Sequence, residues 1–445
     1  MSRRRLKRWV KAHPTLLKQA VFLLLALALI NYINRFRDDG PIGERLEKLV
    51  NTYAADDGFW GVVLVASQGD TLLHRAWGLA DASTGHRNTI RTRFPAGDVT
   101  QLLTRGAAAV MATKHHLDAD SMITTIQGQP LPQAVTLFQL LNHYSGLADA
   151  YARDIRLSLP VMQKRPIAPV ALRRRLLQYA PDTTAGAVRR YHRTGPALAR
   201  LALEEWTDSP YESWVRCHLF KPLNMVHSTL GVWGDTLSLA CGHRLQNTQW
   251  INQKRVPLSY YAGTADWVCT ARDMAALSAL PGLPGMTQPK ALRLQGRLDH
   301  YGRLPGFRSA FLHMPLQDLT VVILANQDHV SVEDMATQLA TLVLERLLID
   351  LPSDSLACFS GLYEGKNVNG QPLRFLVRME DSQLMMTVPG HGDETLTVQL
   401  RPESPTRFLT ELFRLHLNMV VDFPASDACR LNISGLVIEA RRIGP

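Results

Sequence analysis

Cysteine is scarce in these 445 residues: there are five, Cys217, Cys241, Cys269, Cys358 and Cys429, and no two fall in Cys-x-x-Cys spacing. An odd count leaves at least one thiol without an intrachain partner. The scatter argues against a disulfide-framed fold or a cysteine-held metal, and single buried thiols are expected. Histidine is commoner, but His115, His116, His143, His192, His243 and His300 show neither His-x-x-x-His nor His-Glu-x-x-His spacing. No metal and no other cofactor is therefore expected. Low-complexity tracts are missing too, and 46% hydrophobic with 20% charged residues is the make-up of a folded protein.

Beyond the first turns of the chain there is also little surplus charge. The net charge of +10 suggests a nucleic-acid partner until it is located. Arg3, Arg4, Arg5, Lys7, Arg8, Lys11 and Lys18 account for seven of the 49 basic residues with no acidic residue among the first 18, leaving 42 basic against 39 acidic residues. The remainder is nearly neutral, which excludes a nucleic-acid partner as the reading of the charge. The basic start leads into an apolar core over residues 20–33 that Leu16, Leu17 and the interfacial Tyr32 extend, with Lys18 able to snorkel. Residues 1–37 thus read as a cytoplasmic basic tail and a membrane helix, the bulk lying outside by the positive-inside rule. A cleaved signal peptide ending near Ala26-Leu27-Ala28 is the rival, but no polar, small-residue stretch follows it. Both readings export the protein.

After the Asp38-Asp39-Gly40-Pro41 break, Ile42, Leu46, Leu49, Val50 and Tyr53 recur at helical spacing. A β-branched run over residues 58–66, the turn Ser67-Gln68-Gly69-Asp70 and residues 71–78 predict an antiparallel hairpin. Residues 94–230 read mainly as helical. Residues 307–326 predict another antiparallel pair and residues 332–347 a helix. Strands from both ends of residues 38–350 with helices between them predict an α/β (α+β) fold: an antiparallel sheet flanked by helices plus an all-α subdomain. Tyr211, Trp214 and Val215 read as core, and Arg173-Arg174-Arg175 as a solvated basic face. Residues 354–445 carry short β runs between Gly, Asp and Pro turns, the pattern of a separate small C-terminal β barrel or sandwich.

The stretch Phe94-Pro95-Ala96-Gly97-Asp98-Val99-Thr100-Gln101, followed by an apolar run to Met111, has the layout of a strand end, a small-residue turn and a buried helix. Many hydrolases mount a nucleophile there, facing the helix N-terminus. Three further segments follow in order: Val135-Thr136-Leu137-Phe138-Gln139-Leu140-Leu141-Asn142-His143-Tyr144-Ser145-Gly146-Leu147, then Leu219-Phe220-Lys221-Pro222-Leu223-Asn224-Met225, then His300-Tyr301-Gly302-Arg303-Leu304-Pro305-Gly306-Phe307. Over about residues 43–348 the chain resembles the serine β-lactamase and penicillin-binding family, in particular its class C-like hydrolases and esterases.

The resemblance implies a Ser-x-x-Lys pair at the helix start, the lysine one turn from the serine it activates. Those positions hold Asp98 and Gln101, and no serine in the chain is followed three residues later by lysine. It also implies a Tyr-x-Asn motif, which aligns with Tyr191-His192-Arg193. The third motif, His300-Tyr301-Gly302, would place an oxyanion donor at the backbone of Arg303. The remnant site is accordingly Asp98, Gln101, Tyr191, Arg193, His300, Gly302 and Arg303. Asp98 and Arg193 carry opposite charge at positions facing one pocket, so a buried ion pair that fills it is expected.

The function that follows is a catalytically inactive serine-hydrolase homologue, anchored in the bacterial inner membrane with its bulk periplasmic. It would bind a peptidoglycan-like or acylated ligand, or a protein partner, in a regulatory role. The alternative is an active hydrolase of acyl or D-amino-acid substrates using Asp98 or Tyr191 in place of serine.

Overall fold

The computed structural model describes residues 41–56, 58–115, 120–154, 165–233, 238–247, 249–280, 298–366, 370–389, 395–410, 419–425, 427–433 and 436–444. The expected membrane helix lies outside them, and among the described residues no helix is long and apolar enough to cross a membrane.

Five strands form one antiparallel sheet: β1 (Gly61–Ser67), β2 (Asp70–Trp77), β3 (Leu298–Leu304), β4 (Phe307–Met314) and β5 (Leu319–Ala325), in the order β3-β4-β5-β1-β2. The predicted hairpin is β1–β2, and its turn is carried by Gln68 and Gly69 at positive φ. The expected second pair is β4–β5. The edge strand β3 was legible only as a motif, because its sequence mixes polar and apolar residues on a strand that is paired along one side.

Alternation along each strand divides the core into two. Val63, Val65, Val321 and Ile323 face helices α1 (Ile42–Asp56) and α4 (Val332–Arg346), while Val62, Leu64, Val322 and Leu324 face the helical block. This is why β1 and β5 are hydrophobic at nearly every position: both faces are covered. Helix α4 buries Val332, Met335, Ala336, Leu339, Ala340 and Val343, an i, i+3, i+4, i+7 stripe, and starts at Ser331, whose hydroxyl accepts from the Asp334 N–H.

The inserted block holds α2 (Thr100–His115) and α3 (Thr194–Thr207), and Tyr211, Trp214 and Val215 are buried in it. It is not purely helical. Met122–Ile126 and Gln129–Thr136 form a hairpin around Gln127 and Gly128, both at positive φ, a turn geometry that matches strand twist. Of the three adjacent arginines, Arg173 donates to Gln127 Oε1 at 2.6 Å and Arg175 lies 3.7 Å from Asp154. All five cysteines are free. Among the described residues, no group of three or more His, Cys, Asp or Glu side chains is placed to hold a metal.

The C-terminal region is a closed barrel of eight antiparallel strands in sequence order: β6 (Gly361–Lys366), β7 (Pro372–Glu380), β8 (Gln383–Pro389), β9 (Thr395–Ser404), β10 (Arg407–Thr410), β11 (Met419–Ala425), β12 (Ala428–Ile433) and β13 (Leu436–Gly444). Closure pairs β6 with β13 and removes the sheet edges. Its interior is filled by side chains including Tyr363, Phe375, Phe408 and Phe423, with ring centroids 5.5 Å apart for Tyr363–Phe375 and for Phe408–Phe423. Leu409 and Val420 point the other way and join the core beneath α1 and α4. The backbone of Ile349 also donates to Pro402 O at 2.8 Å.

Because those two side chains couple the barrel to the sheet domain, Leu409→Ala is expected to destabilise the protein by about 2–5 kcal/mol. Leu409→Ala/Val420→Ala should split one calorimetric unfolding transition into two; a single transition at lower temperature would show that the coupling lies elsewhere.

Candidate functional site

The site begins with a backbone constraint. The two-residue strand Phe94–Pro95 pairs with Trp267–Cys269, and Ala96 N–H donates to Trp267 O at 2.7 Å. The chain then turns at Gly97, φ +54°, where a Cβ would stand 2.6 Å from Arg303 N. From the other side, a Cβ on Gly302 would meet Ala96 O at 2.2 Å and Ser309 Oγ at 2.3 Å. Glycine at both positions lets the turn press against strand β3, and the Ser309 hydroxyl clamps it by donating to Ala96 O at 2.6 Å. One 3₁₀ turn, Gly97–Val99, leads into α2.

Asp98 lies in that turn, 7% exposed. Arg193, at the N-cap of α3, donates from Nε to Asp98 Oδ1 at 2.6 Å and from Nη2 to Oδ2 at 2.8 Å. This bidentate fork is the strongest ion-pair geometry available to a carboxylate. Burial works against the guanidinium charge, but the bonds and charge of Asp98 hold its pKa above the ordinary arginine value. Gln101, one turn into the helix, donates from Nε2 to Tyr191 Oη at 2.8 Å and to Asp98 Oδ1 at 3.3 Å. Removal from water and the Asp98 charge raise the Tyr191 pKa.

The structure thus joins Asp98, Gln101, Tyr191 and Arg193 in one network. His300 and Gly302 face the same turn from β3. The His300 pKa is lowered to about 4 by burial and by the Arg105 charge, against the pull of Asp98. Arg303 meets the site through its backbone, its residue lying opposite Arg308 in the β3–β4 pair.

Several participants lie outside the expected remnant site. Arg105, four residues after Gln101 on α2, donates from Nη2 to Leu141 O at 3.2 Å, and among the described residues its buried Nε and the buried Oε1 of Gln101 have no hydrogen-bond partner. The i, i+4 spacing was the available signal for Arg105. His143 sits at φ +65° with Nδ1–H donating to His192 O at 3.1 Å. His192 Nδ1 accepts from Gly195 N–H at 3.0 Å, which leaves Nε2–H to donate to Ser145 Oγ at 3.1 Å. Burial pushes His143 down to about 2 and His192 down to about 4.

An antiparallel sheet with a glycine turn and a helix start pressed on its edge strand, faced by a tyrosine from the helical block, is the frame of serine-acylating hydrolases. The chain belongs to the beta-lactamase family, whose profile matches residues 46–344. It is 23% identical over 244 residues to PbpX of Bacillus subtilis (strain 168), which carries the name penicillin-binding protein; the match spans 52% of this chain and 56% of that relative's length. Among solved structures, the octameric penicillin-binding protein homologue from Pyrococcus abyssi superposes with TM-score 0.56 at 16% identity, covering 89% of this chain and 99% of that one. The D-amino acid amidase from Ochrobactrum anthropi SV3 gives 0.58 at 18%, covering 69% and 100%. At such identities the likeness is one of fold.

Removing one partner of a largely buried ion pair leaves the other uncompensated. Asp98→Asn is expected to cost about 3 kcal/mol in denaturant unfolding, and Asp98→Asn/Arg193→Gln to cost less than the sum of the single changes, a coupling a double-mutant cycle measures. Strict additivity would show that the pair does not act as a unit.

The histidines set an acid limit. His192 and His300 bind protons more weakly folded than at the ordinary value of 6.5, so the stability each contributes is complete above pH 6.5 and lost as pH falls toward about 4. Melting temperature should decline across that window, with a shallower slope in His192→Gln; an unchanged slope would remove His192 from the account.

Proposed function

We propose that the chain is a catalytically inactive member of the family, exported and anchored in the bacterial inner membrane, with a binding or regulatory role at the cell envelope. The bidentate Arg193–Asp98 pair carries this reading. Acyl transfer at this turn needs a hydroxyl and a nearby base, and Asp98 offers no hydroxyl while Gln101 has no titratable proton. Both Asp98 oxygens accept from Arg193, so using the carboxylate as a nucleophile would first require breaking the fork. Tyr191 is poorer still as a phenolate, because its pKa is raised.

What remains is a frame: the backbone at Asp98 and Arg303, the exposed face of Tyr191, and His300. Backbone donors survive side-chain replacement and suit the carbonyl of a peptidoglycan-like or acylated ligand held without turnover. The barrel offers a separate surface for a protein partner.

Restoring the pair tests this. A fluorescent β-lactam should leave the wild type unlabelled and label Asp98→Ser/Gln101→Lys/Arg193→Asn, with weaker labelling while Arg193 remains to occupy the cleft. Hydrolysis of acyl esters, β-lactams or D-amino-acid peptides by the wild type, abolished by Asp98→Asn, would overturn the inactive reading.

A further inference from the structure

A second depression lies at the opposite edge of the sheet from the Asp98 cleft. The cleft is built on β3, one edge, while His74 stands on β2, the other. Four strand spacings separate those edges by roughly 19 Å. The depression is a cavity of about 300 Å³ whose wall includes His74, Arg91, His227 and Arg272, with Ile90 and Val226 at its rim.

Its charge is unbalanced. Arg91 and Arg272 are exposed, and among the described residues neither guanidinium has a carboxylate partner. Asp273 adds one carboxylate to the wall against two guanidinium groups, and its Oδ2 accepts from His227 N–H at 2.9 Å and from Ser228 Oγ at 2.8 Å. The His74 ring lines the wall, its Nε2 buried and without a hydrogen-bond partner among the described residues, and burial together with the Arg272 charge lowers the His74 pKa. Beside these polar groups, Ile90 is 44% and Val226 70% exposed.

We propose that this cavity binds a phosphate ester bearing a short apolar chain, the phosphate held by Arg91 and Arg272 beside the His74 ring and the chain lying against Ile90 and Val226. One carboxylate presents a single two-oxygen edge to one guanidinium fork, whereas the three terminal oxygens of a phosphate monoester can take both forks along different edges. The cavity volume accepts the phosphate and a few methylenes, and Val226 continues the apolar surface outward. This site is independent of the inactive reading of the cleft.

The test is calorimetric titration of the full-length protein in neutral detergent with hexyl phosphate, inorganic phosphate and hexanol. Hexyl phosphate should bind once per chain, at least tenfold more tightly than either fragment. Arg91→Gln/Arg272→Gln should weaken it at least tenfold with an unchanged circular dichroism spectrum, Val226→Asp should weaken it through the rim, and Tyr191→Phe in the cleft should leave it unaltered. Competition by phosphatidylglycerol in mixed micelles, but not by phosphatidylcholine, would support the site with a lipid headgroup as the source; absence of competition with hexyl phosphate still bound would support it with a soluble ester. No binding of hexyl phosphate, equal binding by the double arginine variant, or equal affinity for inorganic phosphate would overturn the proposal.

Discussion

Asp98 and Arg193 are 95 residues apart in sequence and form one buried fork. Each stands at the start of a helix, so the pair fixes how α2 and α3 approach each other, and Gln101 and Tyr191 close the same seam one turn deeper. Taking two charges out of water is costly, and their attraction offsets that cost only when the geometry is good and the spare lone pairs are used. Here Oδ1 accepts twice and Oδ2 once. The two residues are meaningful as a pair: either one alone would leave an uncompensated charge at a largely buried position.

The surrounding groups are arranged for neutrality. Arg193 already matches Asp98, so the further charge of Arg105 acts on the nearby rings, and His300 and His143 are both held in the neutral form by burial and by that charge. The single tautomer of His192, fixed by Gly195 N–H on one side and Ser145 Oγ on the other, adds a rigid wall.

Much of this was legible because it rests on local sequence. A glycine turn followed by an apolar helix identifies the Asp98 position, and opposite charges at two motif positions identify its partner. Strand β3 was harder: Leu298–Leu304 is an edge strand with polar residues facing the cleft, so no hydrophobic alternation marks it. The barrel strands were readable one at a time, but closure depends on β6 meeting β13 across the whole domain, which no local pattern encodes. Arg105 was hidden for a related reason. A lone arginine in an apolar helix gains its meaning from Leu141 and the histidines that other segments bring to it.

The two glycines hold the frame whatever side chains stand at positions 98 and 101. The contact between the Gly97 turn and β3 at Gly302 is backbone against backbone, secured by the Ser309 hydroxyl on Ala96 O. None of those groups is the nucleophile or its base. Aspartate at position 98 and glutamine at position 101 leave intact what positions the turn. The remaining constraint is charge: a carboxylate at a buried helix start, already favoured by the backbone N–H groups there, needs a cation within reach. Arginine at the third position of the tyrosine motif supplies it from the adjacent helix, so the charge at position 98 is matched without any change in the backbone that positions the turn.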